Sequence, residues 1–306
     1  MKNKVFPLLL LVVLQASAFQ TVSKNPLETQ QGLPAEKTII TGRVIAQDTE
    51  EPIAYASVGI LNGSIGTISS EEGAFSLPIP AGHQEQTVRI SALGHEAREI
   101  KVKDLLAMGT KTGLVTVALP SKPVALAEVK VSPKNWVTKE LGGTLGPNSK
   151  FAHSFIINPR PIQANLGREI GIHINNGQKL SFLSKLNFCL KSNRYDLVRF
   201  RLNVYDLKNG RPHQNLLPKD IYVTVKNRKT GWIQVDLEPY DIYVEQDFVI
   251  SLEWIDCRPK THSTSLSIPA AMPGLQTAFH KDASQSKWQK IPAAGMGMNV
   301  LVQREK

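Results

Sequence analysis

An all-β chain of two β-sandwich domains is what this sequence predicts. Three features carry that expectation. Runs of β-branched residues are short, Gly, Pro, Asn and Ser punctuate them, and the second half alternates apolar and polar residues at period two. The 306 residues suit two domains at roughly 100–200 residues each. With 42% hydrophobic and 20% charged residues the composition is globular, which excludes a mostly disordered or collagenous chain. Two cysteines exclude a disulfide-rich scaffold and a four-thiolate zinc site.

Residues 1–18 form the first element. Lys2 and Lys4 precede an apolar run from Val5 to Leu14, and Ala16-Ser17-Ala18 supplies a small-residue cleavage signal. The run is about half of the roughly 20 residues that a spanning helix needs, so it predicts a signal peptide and not an anchor. The expected location is exported: periplasmic, outer-membrane-associated or secreted. No Cys follows the run to carry a lipid, and no later apolar stretch is long enough to span a bilayer. The formal charge is 36 − 26 = +10, and cleavage removes two lysines to leave 34 − 26 = +8. Lys and Arg are scattered and do not form a stripe, so nucleic acid is not an expected partner. Residues 19–37, rich in Gln, Thr, Pro and Gly, predict a flexible leader.

Residues 38–131 predict the first domain. Strands are expected at Ile39–Ala46, Ala54–Leu61, Gly66–Ser69, Ala74–Ile79, Thr87–Ala92, Arg98–Val102 and Leu114–Leu119, with a helical turn near Lys103–Ala107. Turns fall at Asn62-Gly63, Glu72-Gly73 and Leu93-Gly94, where positive φ is often needed. Phe75, Leu77 and Ile79 share one face, as do Val88, Ile90 and Ala92.

The same segment carries a resemblance. Ile40-Thr-Gly-Arg-Val44, Glu51-Pro-Ile-Ala-Tyr-Ala-Ser-Val58, Gly66-Thr67, Glu72-Gly-Ala-Phe75, Ile90-Ser-Ala-Leu-Gly-His95 and Leu126-Ala-Glu-Val-Lys-Val131 succeed one another. This series resembles the carboxypeptidase regulatory-like domain, whose fold is a transthyretin-like sandwich of seven strands. The resemblance implies an accessory module of secreted and envelope proteins, found also at the N-terminus of TonB-dependent receptors. His95 departs from it, because the family more often has an aromatic residue there.

Residues 132–161 predict a linker, broken by Pro133, Gly142, Gly143, Gly146 and Pro147. Trp136, Phe151, Phe155 and Ile157 are costly to leave in water, so part of it should pack on a domain. Residues 162–306 predict a second, jelly-roll-like sandwich. Ile170, Ile172 and Ile174 alternate with Gly171, His173 and Asn175. Phe200, Leu202 and Val204 alternate with Arg201, Asn203 and Tyr205, and Phe248, Ile250, Leu252 and Trp254 alternate with Ser251 and Glu253. Phe200-x-Leu-x-Val-Tyr205, Asn209-Gly-Arg-Pro212 and Gly231-Trp232 loosely resemble jelly-roll modules of secreted bacterial proteins, which implies a fold and no particular ligand.

Neither metal nor cofactor is expected. The one His-Glu pair, His95-Glu96, lacks the second His of a zinc-protease helix, and no Gly-rich phosphate loop precedes a helix. Alternation puts Cys189 and Cys257 on outward faces, open to a disulfide or to two unpaired thiols. The outward face of the second domain also collects His173, Asn187, Arg199, Arg201, Asn203, Tyr205, Tyr222, Trp232, Gln234 and Glu253. Of these, His173, Arg199, Arg201, Tyr205, Trp232 and Glu253 are the candidate binding set, because aromatic and polar groups on one sheet suit a sugar or peptide. Two functions follow: a non-catalytic envelope binding or scaffold protein, whose partner is an envelope protein or glycan, or a polysaccharide hydrolase or lyase. The second needs two carboxylates roughly 5–10 Å apart, and Glu253 with Asp236 is the nominated pair.

Overall fold

The computed structural model describes residues 37–110, 113–122, 136–260 and 265–306. The expected signal peptide, all but the last residue of the leader, and the closing segment 126–131 of the first domain lie outside the described residues. Among the described residues no helix is long and apolar enough to cross a membrane.

The fold is all-β. The first sandwich follows the expected order: β1 (Lys37–Ala46), β2 (Ser57–Ile60), β3 (Gly66–Ile68), β4 (Ala74–Pro80), β5 (Thr87–Ser91), β6 (Arg98–Lys101) and β7 (Val115–Leu119). β1 pairs antiparallel with β4 and parallel with β7, and the facing sheet runs β3-β2-β5-β6. Their inward residues, among them Val44, Val58, Leu77, Ile90 and Leu119, make a closed apolar core. The expected helical turn is α1 (Val102–Gly109), which buries Val102 and Leu105. Gly73 has φ +75°, and a Cβ there would meet the Val44 carbonyl oxygen at 2.5 Å. Only glycine serves that turn before Phe75 enters the core.

The second sandwich begins earlier than the sequence suggests. β8 (Trp136–Gly142) pairs with β21 (Met298–Glu305), and β9 (Phe151–Ser154) pairs with β19 (Leu266–Lys281). The expected linker thus supplies two strands, each hydrogen-bonded to a strand more than a hundred residues later in the chain. Phe155 is fully buried, 5.2 Å from Phe200. The remaining strands are β10 (Glu169–Ile174), β11 (Ser181–Leu190), β12 (Ser192–Asn193), β13 (Leu197–Lys208), β14 (Arg211–Asn215), β15 (Ile221–Lys226), β16 (Gly231–Asp236), β17 (Tyr243–Val244), β18 (Phe248–Arg258) and β20 (Gln289–Met296). One sheet has nine strands, with β12-β19-β10-β18-β13-β14 as its main path. The other has five, with β16-β11-β21-β8 as its path. Phe188, Phe200, Leu252, Trp254 and Val300 fill the space between them. Each large side chain fully buried there contributes about 1.5–3 kcal/mol.

The first sandwich is docked on the second. Tyr55 and Ile68 of the first belong to the apolar core of the second. The loop between β19 and β20 fits against β2 and β3. A Cβ on Gly59 or Gly66 would lie 2.4 or 2.5 Å from the Ser284 carbonyl oxygen. The Asn62 amide donates to the Gln285 carbonyl at 3.0 Å, and Ser286 Oγ donates to the Gly63 carbonyl. The contact roofs part of the nine-stranded sheet's outer face.

Candidate functional site

Antiparallel register sets four charged residues in one row across that outer face. Arg201 on β13 stands opposite Glu253 on β18, Glu253 opposite Glu169 on β10, and Glu169 opposite Lys281 on β19. Directly opposed side chains have Cβ atoms roughly 4.5–5.5 Å apart, so two carboxylates at the centre repel. A cation at each end offsets this. Arg201 Nε and Nη2 donate to Glu253 Oε2 at 2.9 and 2.7 Å, and Lys281 Nζ donates to Glu169 Oε2 at 3.0 Å. Asn203 Nδ2 and Ser251 Oγ donate to Glu169 Oε1 at 2.9 and 2.5 Å.

The first sandwich completes the pairing. Arg201 Nη1 donates to the Tyr55 carbonyl at 3.0 Å and Nη2 to Ser57 Oγ at 3.0 Å. Arg199 Nη1 donates to the Tyr55 hydroxyl, and its guanidinium lies 5.2 Å from the Tyr55 ring centroid. Tyr222 meets the same ring edge-on at 5.3 Å. Lys281 Nζ sits 4.3 Å from the Trp288 ring centroid, a favourable cation–π distance. Arg201 and Glu253 are each 6% exposed and Glu169 is 1% exposed, so the row is charge held inside protein.

Burial and pairing pull the titrations apart. Burial pushes the Glu253 carboxyl up; Arg201 opposes this, Glu169 reinforces it, and the net direction is up. Burial pushes Glu169 the same way, but Lys281 and the hydrogen bonds from Ser251 and Asn203 outweigh it and hold it below the usual range. Burial works against the Arg201 cation, yet Glu253 and Asp220 hold it charged more firmly than usual. Burial, with Glu169 and Glu253 nearby, raises the Tyr205 phenol well above its ordinary value.

Between row and roof lies a cleft of about 220 Å³. Arg201, Asn203, Tyr205, Glu253 and Lys281 form its floor, Asn215, Asp220 and Gln285 its sides, and Ser57, Ser91, Ala92 and Leu93 its roof. Of the candidate set, Arg201, Tyr205 and Glu253 meet here. Arg199 stands beside the cleft in the interdomain contact. His173 is elsewhere on the sheet, with Nε2 3.0 Å from Asp247 Oδ2. Trp232 lies on β16 in the other sheet and is 39% exposed. Glu169, Lys281, Asp220 and Gln285 escaped the sequence reading. Glu169 was accessible to it, since it shares parity with Gly171 and His173 on β10. Gln285 was not, because it reaches the cleft only through a loop.

Two expectations are corrected. Cys189 and Cys257 are free, fully buried and on different sheets, so no bridge joins them. Phe200 pairs with Trp254 and Arg199 with Asp256, so Ile255 is an extra residue. That bulge turns Cys257 into the core. Cys189 keeps its outward parity but is covered: its amide donates to the Gly297 carbonyl at 2.7 Å, and a Cβ on Gly297 would lie 3.1 Å from the Cys189 Cβ. Burial pushes the Cys257 thiol up to about 12. The pair Glu253 and Asp236 does not converge either, because β18 and β16 belong to different sheets and Asp236 is exposed. Among the described residues no group of three or more His, Cys, Asp or Glu side chains converges as metal ligands.

The family model of the CarboxypepD_reg-like domain matches residues 40–132, a range that holds β2 to β7 and most of β1. Domains of this class are non-catalytic. No curated protein matches the chain. Among solved structures, similarity is found to the cysteine protease and lectin-like domains of Cwp84, a surface layer associated protein of Clostridium difficile. It has 8% identity and a TM-score of 0.33, and it covers 88% of this chain and 58% of that one.

Proposed function

We propose that the chain is an exported, non-catalytic binding or scaffold protein of the cell envelope, and that the cleft between its sandwiches is a ligand site. One observation carries this reading. The carboxylate facing Glu253 is Glu169, and both oxygens of Glu169 already accept hydrogen bonds from Lys281, Asn203 and Ser251. A glycosidase needs one carboxyl group free to move a proton and another free to attack or to activate water. This row is satisfied on the Glu169 side and suits recognition. The match of residues 40–132 to an accessory module supports the same reading, as does the signal-peptide-like pattern of residues 1–18. The partner is an envelope glycan or an envelope protein.

Immobilised full-length chain should retain a defined glycan on an array, or a purified envelope protein, at low ionic strength. It should not turn over ester, glycoside or peptide substrates. Turnover by the purified chain, with nothing retained, would overturn the proposal.

A further inference from the structure

We infer that one end of the second sandwich, formed by the turns 193–196, 226–230 and 258–260, is a docking surface for an acidic polysaccharide, a chain of hydroxyl-bearing rings with repeated anionic groups. This surface is separate from the cleft, and neither reading stands on the other.

Charge is the first argument. Arg194, Lys226, Arg228, Lys229, Arg258 and Lys260 are scattered in sequence, and all six are exposed. Strand register gathers them. Leu197 stands opposite Lys226 on one side and Arg258 on the other, which sets those two cations about 10 Å apart. Asp196 ties the turns together: its amide donates to the Arg258 carbonyl and its carbonyl accepts from the Asn227 amide, each at 2.8 Å. Its carboxylate accepts from Arg228 Nε at 2.8 Å, and Asn193 Nδ2 donates to the Lys229 carbonyl at 3.2 Å. Lys260 pairs with Asp256 at 2.7 Å. Two carboxylates thus answer six cations, and Arg194, Lys226, Lys229 and Arg258 have no carboxylate within 4.0 Å among the described residues. In the first sandwich Glu71 pairs with Arg199 at 3.5 Å and Glu72 lies near Lys260, and with these three counted an excess of three positive charges remains. Such a field draws in a polyanion and is screened by salt. Cations spread over three turns suit repeated charges along a polymer better than one small anion.

The neighbouring groove is the second argument. The turn 226–230 runs directly into β16, where Trp232 is 39% exposed beside a groove of about 380 Å³. Asn187, Gln234 and Asn299 line it, and the hydrogen bonds between them hold their amides in fixed orientations. An indole face packs against a sugar ring, and oriented amides pair with hydroxyls. Glu140, the one charged residue of the lining, lies on β8 at the far edge of the sheet. A bilayer fits less well. Apart from Pro259 the exposed side chains of the three turns are polar or charged, and stable attachment to lipid takes an apolar anchor besides a basic patch.

Retention of the full chain is measured on immobilised dextran sulfate and alginate, on neutral dextran, and on vesicles of phosphatidylglycerol and phosphatidylcholine. The chain should hold to an acidic polysaccharide at about 0.1 M salt and release at about 1 M, as the screening length falls from about 10 Å to about 3 Å. Lys226→Gln/Lys229→Gln/Arg258→Gln should weaken retention about tenfold or more. Lys122→Gln/Lys179→Gln/Lys208→Gln removes the same charge from exposed positions elsewhere and should weaken it less than about twofold. Trp232→Ala should weaken it about threefold or more. Melting curves report that each variant is folded. Retention on neither acidic polymer, or equal retention on neutral dextran, overturns the proposal. So does stronger retention on the vesicles, equal loss from the two triple variants, or indifference to Trp232→Ala.

Discussion

On the nine-stranded sheet, Arg201, Glu253 and Glu169 point away from the core and lie beneath the first sandwich. On the five-stranded sheet, Trp232, Gln234 and Asp236 point away from the core and stay exposed. The covered face carries full charges, each paired across strands. The open face carries a neutral ladder: Gln234 Nε2 donates to Asn187 Oδ1 at 3.0 Å, Asn187 Nδ2 to Asn299 Oδ1 at 2.8 Å, and Asn299 Nδ2 to the Gly143 carbonyl at 3.3 Å. Charge on the nine-stranded sheet is therefore held under protein, whereas Asp236 on the five-stranded sheet stays in water. Ion pairs under a protein roof must be complete, because a buried charge that loses its partner is strongly destabilising. Gln234, exposed to water, carries no such condition, whereas Asn299 at the far end of the ladder is 4% exposed and is satisfied by its partners.

Arg201→Ala should break the comparison hardest. It strands Glu253 and removes the bonds to Tyr55 and Ser57, and a loss of about 3–5 kcal/mol is expected in chemical denaturation. Gln234→Ala on the open face should cost about 1 kcal/mol or less. If the two losses are equal, the roof is not in place in solution.

Acid should separate buried from solvated groups next. His153 packs edge-on to His280 at 4.9 Å, and burial, with His280 and Arg168 nearby, holds its imidazole down to about 4. Its unfolded value is about 6.5, so the unfolded chain binds more protons between the two values, and stability falls as pH drops from 6.5 towards 4. The loss approaches about 3 kcal/mol at 1.36 kcal/mol per unit. His153→Phe should flatten that part of the stability–pH curve.

Gly66→Ala sharpens the picture of docking. Its Cβ would meet the Ser284 carbonyl at 2.5 Å, and about 1–3 kcal/mol of overpacking is expected in thermal melts. Gly146→Ala, whose Cβ would meet nothing within 4 Å, is the matched control and should lie within about 0.5 kcal/mol of wild type. Smallest of all is Trp232→Ala, a surface truncation expected to change stability by no more than about 0.5 kcal/mol.

Period-two alternation and turn residues made nearly all of the first sandwich legible, from β1 to the helical turn at α1, because both signals are local. The alternation also named the side of the sheet on which Arg201, Tyr205 and Glu253 lie. It lost Cys257 at a bulge, since one extra residue inverts every later parity and leaves no composition mark. It read 136–142 and 151–154 as linker because the strands they pair with come more than a hundred residues later. Whether an outward face is wet, and which residues a loop such as 282–286 carries into a cleft, depends on what packs over it. That is a property of long-range contacts, which no run of neighbouring residues encodes, and so the docking of the two sandwiches, the pairing of the buried charges and the cleft between them belong to the folded chain alone.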